Sequence, residues 1–326
     1  MKTIVCKRYG PPEVLVIEDR EKPIIKDHQV LIQVHATSVT PMDYRARGAK
    51  MPLWPFTRVM TGIRRPKQDI LGIEVAGEIV EVGNEVTEFK KGDRIFGLAD
   101  KSYAEYVVAR GTKGATITTM PPNLSYEEGA AIPVGGLTSL YFLKTLGNIQ
   151  VGQKVLINGA SGGVGVYAVQ LAKYFGAEVT GVCSTKNLDL VKSLGADRVI
   201  DYTENDFTKE NEEYDIVFDA VGKSSFSKCK KILCEEGIYL STVPSYRLLF
   251  QMLWTSKVGK KKAKFGLGGG PDELQFIREL LINNEIRVVI DRTYPFEQIV
   301  DAHAYADKGH KVGSLVVTLN QGKVTQ

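Results

Sequence analysis

Apolar and polar positions alternate with a period of two through much of the opening third of the chain. QVLIQVHATSV (29–39) alternates apolar and polar residues, ILGIEVAGEIVEVGNEV (70–86) is β-branched and broken by glycines, and SYAEYVVA (102–109) reads as a short strand. Glycines and prolines punctuate these runs, which predicts a rolled-up, mostly antiparallel sheet and not a βαβ unit. The pattern changes after MPPNLSYEEGAAIP (120–133), where Ser125 followed by Glu127 and Glu128 marks a helix start with acids in its first turn. Strand-like runs then alternate with helical ones. The strands are KVLING, EVTGVC, DRVID, DIVFDAVG, GIYLSTV and KAKFG, and between them lie helical stretches such as GVGVYAVQLAKYFG and NLDLVKSLG. Strands joined by crossover helices predict an α/β fold with a doubly wound parallel sheet. The tail returns to a helix (PDELQFIRELLINN), a strand, a second helix (FEQIVDAHAYADKG) and a last strand, GSLVVTL. The expected plan is a β-rich domain formed by 1–121 and 268–326, with a dinucleotide-binding domain, 122–267, inserted into it.

Composition narrows this only a little. The 326 residues suffice for roughly two domains, and a 43% hydrophobic, 25% charged chain is an ordinary globular one. A net charge of +4 gives no reason to expect nucleic acid. Four cysteines without close spacing (Cys6, Cys183, Cys229, Cys234) argue against a disulfide framework and for a reducing compartment. Lys7 and Arg8 stand where a signal peptide needs an apolar run, and no stretch reaches the ~18 apolar residues of a membrane span. A cytoplasmic protein is expected.

The candidate chemistry begins at INGASGGVG. A buried strand runs into Gly159, Ala160, Ser161, Gly162, Gly163, Val164 and Gly165, and an apolar-faced helix follows at once. Such a turn brings backbone N–H groups and a helix N-terminus to a pyrophosphate. FGLGGGPDEL (265–274) is also glycine-rich, but Asp272 and Glu273 in the next helix's first turn would repel a phosphate, so it reads as a connection. An acid about twenty residues beyond the turn normally holds the adenine ribose 2′-hydroxyl. GVCSTKN offers Ser184, Thr185 and Lys186 there, a donor and a cation suited to a 2′-phosphate, so NADP(H) is the expected cofactor. Tyr202 is placed to cover the adenine.

These residues, with YGPPEVLVIED, VLIQVHATSVTPMDYRARG, AAIPVGGLTSLYFL and VKSLGADRVIDY, resemble the medium-chain dehydrogenase/reductase superfamily, in its zinc-free quinone-oxidoreductase-like branch. The resemblance covers nearly the whole chain. It implies a GroES-like β-rich catalytic domain, a Rossmann cofactor domain, an active site in the cleft between them, and a homodimer. It also adds cofactor contacts at Thr138, at Ala220, Val221 and Gly222, at Ser241 and Thr242, and at Phe265 and Gly266.

Zinc members of the superfamily use a Cys, a Gly-His-Glu stretch and a second Cys. This chain reads Gly72-Ile73-Glu74 at the second, and its four histidines (His28, His35, His303, His310) are scattered, so no zinc is expected. Without a Lewis acid a quinone or α,β-unsaturated carbonyl is the easier hydride acceptor, because conjugation spreads the charge. Tyr44 and Thr40 in TPMDYRARG are the candidate polar groups. Thr40 replaces the Asn common in relatives, and Asp43 reads as a structural acceptor. The leading expectation is an NADPH-dependent reductase of small quinones or enones. A general NADP-dependent carbonyl oxidoreductase and a non-catalytic NADPH-binding protein are the alternatives. AKMPLWPFTRVMTGIRRPKQD (49–69) is aromatic and basic, and reads as a segment that shapes substrate choice. PSYRLLFQMLWTSKVGKKKAKF (244–265) admits two readings, a buried helix followed by a solvated basic turn, or an amphipathic patch in peripheral contact with membrane or apolar quinones.

Overall fold

The computed structural model describes residues 1–319. The chain splits into two compact units, one of Met1–Val134, Gly270–Ile282 and the chain from Val288, the other of Gly135–Gly269 with Asn283–Arg287. In chain order the first unit opens with β1 (Lys2–Cys6), β2 (Leu15–Asp19), β3 (Gln29–Ser38), α1 (Pro41–Arg47), α2 (Phe56–Thr61), β4 (Glu74–Val82), β5 (Arg94–Leu98), β6 (Tyr106–Arg110), β7 (Ile117–Thr119) and α3 (Tyr126–Ala130). The chain passes into the second unit within α4 (Pro133–Leu140). That unit holds β8 (Lys154–Asn158), α5 (Gly165–Tyr174), β9 (Glu178–Cys183), α6 (Leu188–Ser193), β10 (Arg198–Asp201), β11 (Tyr214–Asp219), α7 (Phe226–Cys229), β12 (Leu233–Ser241), α8 (Tyr246–Lys257) and β13 (Lys262–Lys264). The first unit resumes with α9 (Pro271–Ile282), β14 (Ile290–Pro295), α10 (Ile299–Asp307) and β15 (Ser314–Thr318).

The first unit is a sheet in the order β14-β15-β3-β4-β5-β7, with β6 also on β3 and a β1–β2 hairpin beside it. All its pairs are antiparallel except β14 with β15. Its core alternates along the strands, with Val30, Ile32 and Val34 of β3 packed with Val75 and Ile79 of β4 and with Leu315 and Val317 of β15. Ser125 caps α3 in a capping box with Glu128, and the two acids stand in the first turn as the sequence predicts.

The second unit is a six-stranded, wholly parallel sheet in the order β10-β9-β8-β11-β12-β13. Val155, Leu156, Ile157 and Asn158 of β8 are all buried, as a central strand covered on both faces requires. Residues Gly165 to Ala172 of α5 are buried almost all round. Strand order reverses at β8, which places a crevice beyond the carboxyl ends of β8 and its neighbours.

One expectation needs correcting. The buried-helix reading of 244–265 does not hold, because α8 buries only Leu248 and Thr255, packs Met252 against the core in part, and leaves Tyr246, Phe250, Leu253 and Trp254 exposed. An apolar run specifies a face but not what covers it. The segment 49–69 forms the short α2, with Trp54, Phe56, Val59, Met60 and Ile63 exposed and the Arg58 guanidinium 3.6 Å from the centre of the Tyr9 ring.

Candidate nucleotide site and buried polar cluster

In the second unit the predicted residues gather at the carboxyl ends of the parallel strands. Register sets Asn158 of β8 beside Val182 of β9 and Asp219 of β11, and Asp219 beside Ser241 of β12. The turn after β8 is closed by glycines. Gly159 has φ +84°, and a Cβ on Gly165 would lie 2.0 Å from the Gly159 carbonyl oxygen. Among the described residues the N–H groups of Ser161, Val164 and Gly165 find no acceptor. The first turn of α5 carries no acid. Open donors, an unopposed helix N-terminus and a turn too tight for side chains are what an anionic pyrophosphate needs, so these residues fit a dinucleotide.

The loop after β9 is fastened to this turn by a residue the sequence reading passed over. Asn187, buried, donates from Nδ2 to Ser161 Oγ (3.0 Å) and to Ser184 Oγ (3.2 Å), and its N–H bonds the Ser184 carbonyl (2.8 Å). Ser184 is thereby fixed while Lys186 stays exposed. Thr185 meets the Thr203 hydroxyl at 3.2 Å, and Tyr202 is exposed beside them. The hydroxyls of Thr185 and Thr203 hold the Asp201 carboxyl below the usual range.

A second unanticipated residue, Asp219, organises the loop after β11. It accepts from Asn158 Nδ2 (3.0 Å), the N–H groups of Gly222 (2.9 Å), Lys223 (3.3 Å) and Ser224 (2.8 Å), and the Tyr239 hydroxyl (2.9 Å). That network fixes Val221 and Gly222, while Thr242 donates to the Ala220 carbonyl (3.0 Å). Ser241 is buried at the end of β12, and Phe265 packs against the unit's core just before Gly266. Thr138 is half-buried on α4. Its neighbour Ser139 donates to the Gly135 and Val164 carbonyls, each at 2.8 Å, which ties α4 to the glycine turn.

The first unit holds a buried polar cluster. Thr40 caps α1, donating from its hydroxyl (2.6 Å) and its N–H (2.8 Å) to Asp43 Oδ2, and Asp43 Oδ1 accepts from the Gly72 N–H (3.0 Å). Asp43 is thus an internal acceptor, and Thr40's hydroxyl hydrogen is already committed. Tyr44, one residue on, is half-buried; its hydroxyl has no hydrogen-bond partner among the described residues. Burial pushes its phenol above the ordinary range and keeps it protonated. Glu74 is buried and accepts from the Ser38 hydroxyl and from the Val134 N–H (2.6 Å) at the start of α4. Burial pushes its carboxyl up to about 7. The Lys311 ammonium is lowered by burial, against the pull of Glu74, Asp43 and Asp291.

Among the described residues no three His, Cys, Asp or Glu side chains converge on a metal position. His35 stacks on Tyr126 at 4.2 Å, and buried His303 meets the Tyr103 hydroxyl at 3.1 Å.

Two family models match the chain, an alcohol dehydrogenase GroES-like domain over residues 26–141 and a zinc-binding dehydrogenase over 194–317. A chloroplastic quinone-oxidoreductase homolog of Spinacia oleracea is 31% identical, over 90% of this chain and 91% of its own. The chain belongs to the medium-chain dehydrogenase/reductase superfamily, in its quinone-oxidoreductase-like branch. A 2-methylene-furan-3-one reductase of Solanum lycopersicum is 32% identical over 97% of this chain and 79% of its own. The solved quinone oxidoreductase from Coxiella burnetii is 31% identical and superposes with a TM-score of 0.87, covering 98% of this chain and 99% of that one. The β-rich unit is therefore GroES-like and the parallel-sheet unit Rossmann-like, and the superfamily makes this chain an oxidoreductase dependent on a nicotinamide nucleotide. No helix among the described residues is long and apolar enough to cross a membrane.

Proposed function

We propose that the protein is a zinc-independent, NADPH-dependent reductase that directs hydride to a quinone or an α,β-unsaturated carbonyl. The observation that carries this reading is an acid-free anion cradle fastened through Asn187 to a loop bearing Ser184 and Lys186. The N–H groups of Ser161, Val164 and Gly165 would hold the pyrophosphate, and Ser184 and Lys186 would hold the 2′-phosphate. Tyr202 would cover the adenine. Thr138, Val221, Gly222, Ser241, Thr242, Phe265 and Gly266 would border the nicotinamide half. The bound cofactor supplies hydride; the protein's part is to orient the acceptor, exclude water and deliver a proton.

Ile73 stands where zinc relatives have histidine, so polarisation falls on the acceptor's own conjugation. Tyr44, neutral and with a hydroxyl unpartnered among the described residues, is the candidate proton donor. Thr40 acts by shaping α1, which presents Tyr44 one turn on. The names of the spinach and tomato relatives, a quinone oxidoreductase homolog and a furanone reductase, support this acceptor class.

The test is a stopped assay with NADPH against a panel of quinones, enones and simple ketones, in chelator. Turnover on the first two classes, with no zinc by elemental analysis, is the expected result. Stoichiometric zinc would overturn the metal-free reading, and turnover on simple ketones alone would favour a general carbonyl reductase. Tight NADPH binding without turnover on any acceptor would favour a non-catalytic binding protein.

A further inference from the structure

Helix α8 is held from one side and bare on the other. Leu248 and Thr255 face the core, Thr255 Oγ1 accepts from the Ala263 N–H (3.1 Å), and Arg247 and Gln251 donate to Ser227 Oγ at 3.0 and 2.8 Å. The outer face carries Phe250, Leu253 and Trp254, spaced as one helical stripe. Phe250, Leu253 and Trp254 are 65, 71 and 58% exposed, and the Phe250 and Trp254 rings stack at 6.5 Å. A run of large exposed apolar side chains on one helix face marks an interaction surface.

Charge says what kind. From Lys223 to Lys264 the chain carries ten lysines and arginines against two glutamates, a surplus of eight, whereas the rest of the chain has 32 basic and 36 acidic residues. Of those ten, only Lys260 forms an ion pair among the described residues, with Glu235 at 2.9 Å. Lys261 donates to the Lys230 and Leu233 carbonyls, and Lys262 to the Thr255 and Gly259 carbonyls, which anchors positive charge at the end of α8 without neutralising it. Lys257 stands three and four residues past Trp254 and Leu253, on the stripe's own face. Two copies of such a surface would set like charges against each other.

We propose that this face docks on an anionic lipid surface, with the aromatic stripe entering the boundary between headgroups and acyl chains and the flanking lysines meeting lipid phosphates. Aromatic and aliphatic residues on one face, with lysine stems reaching toward headgroups, satisfy both requirements of an interfacial helix. The inference stands apart from the acceptor reading, since neither the stripe residues nor Lys257, Lys260, Lys261 and Lys262 are part of the nucleotide site or the polar cluster.

The chain has two tryptophans, so in a Trp54→Phe background Trp254 reports alone. With vesicles of phosphatidylcholine mixed with phosphatidylglycerol, its emission is expected to shift to the blue. The full chain should then co-sediment at least about tenfold better than with phosphatidylcholine alone, and high salt should weaken it. Phe250→Ser with Leu253→Ser should abolish binding, and Lys257→Glu with Lys260→Glu should remove the preference for the anionic lipid. Equal binding to both vesicles, or none, would overturn the proposal. So would a concentration-dependent dimer, broken by the serine pair, that leaves vesicles unbound, because it would assign the face to a second copy.

Discussion

Three helix entries in this chain meet the same electrostatic problem and solve it differently. At α9 the helix supplies its own anion: Glu273 Oε2 accepts from the Gly270 N–H at 2.9 Å, with Asp272 beside it. At α4 the acceptor is borrowed from a strand, the buried carboxyl of Glu74 of β4 accepting from the Val134 N–H. At α5 no carboxylate is supplied among the described residues, and the N–H groups of Ser161, Val164 and Gly165 are left open there. Glycine content alone does not distinguish them, since both Gly159–Gly165 and Gly266–Gly270 are glycine-rich. What distinguishes them is whether a carboxylate already occupies the positive end of the helix, and only the entry without one fits an external anion.

The sharpest way to break the comparison is to add one methyl group at each glycine entry. At Gly165 it would lie 2.0 Å from the Gly159 carbonyl oxygen and 2.7 Å from the Ala160 Cα, whereas at Gly270 its nearest neighbour would be Glu273 Oε2 at 3.5 Å. Gly165→Ala is therefore expected to cost about 4 kcal/mol in urea denaturation and to abolish nucleotide binding, and Gly270→Ala less than about 1 kcal/mol. Equal costs would remove the distinction. The borrowed cap at α4 comes next. Glu74 titrates near 7 in the folded chain against 4.5 ordinarily, so the folded state binds the extra proton between those values. Its contribution is present below about pH 4.5 and is lost as pH rises through 7, by about 3 kcal/mol. Glu74→Gln should flatten that part of the stability–pH curve, and an unchanged difference between pH 5 and 8 would contradict a buried, protonatable cap.

Lys186→Ala should weaken NADPH by about tenfold, roughly 1.4 kcal/mol, and leave NADH unchanged. A parallel loss for both nucleotides would mean that Lys186 reads no 2′-phosphate. The smallest effect is expected at Glu273→Gln, which keeps the acceptor but removes the charge. It should cost about 0.5–1 kcal/mol of stability with nucleotide affinity unmoved.

Much of this contrast was legible in the sequence, because it depends on residues adjacent in the chain. The glycine turn, the acid-free start of α5, the acids of α9 and the missing acid at 184–186 are all local. What escaped is non-local. Asn187 matters because folding brings Ser161 within reach of its amide, and Asp219 because five donors from three separate segments converge on it. Glu74 was visible only as the survivor of a lost Gly-His-Glu stretch, and its partner Val134 is 60 residues away. Helix α8 shows the same limit from the other side, since its apolar spacing was plain while its exposure was not.

The open entry, with Ser184 and Lys186 beside it, is expected to select a dinucleotide with a 2′-phosphate. Calorimetric titration of the full chain with NADPH and with NADH, at one salt concentration, tests this most directly. The account predicts that NADPH binds at least about tenfold more tightly, 1.4 kcal/mol or more. Equal affinities, or tighter NADH, would contradict it.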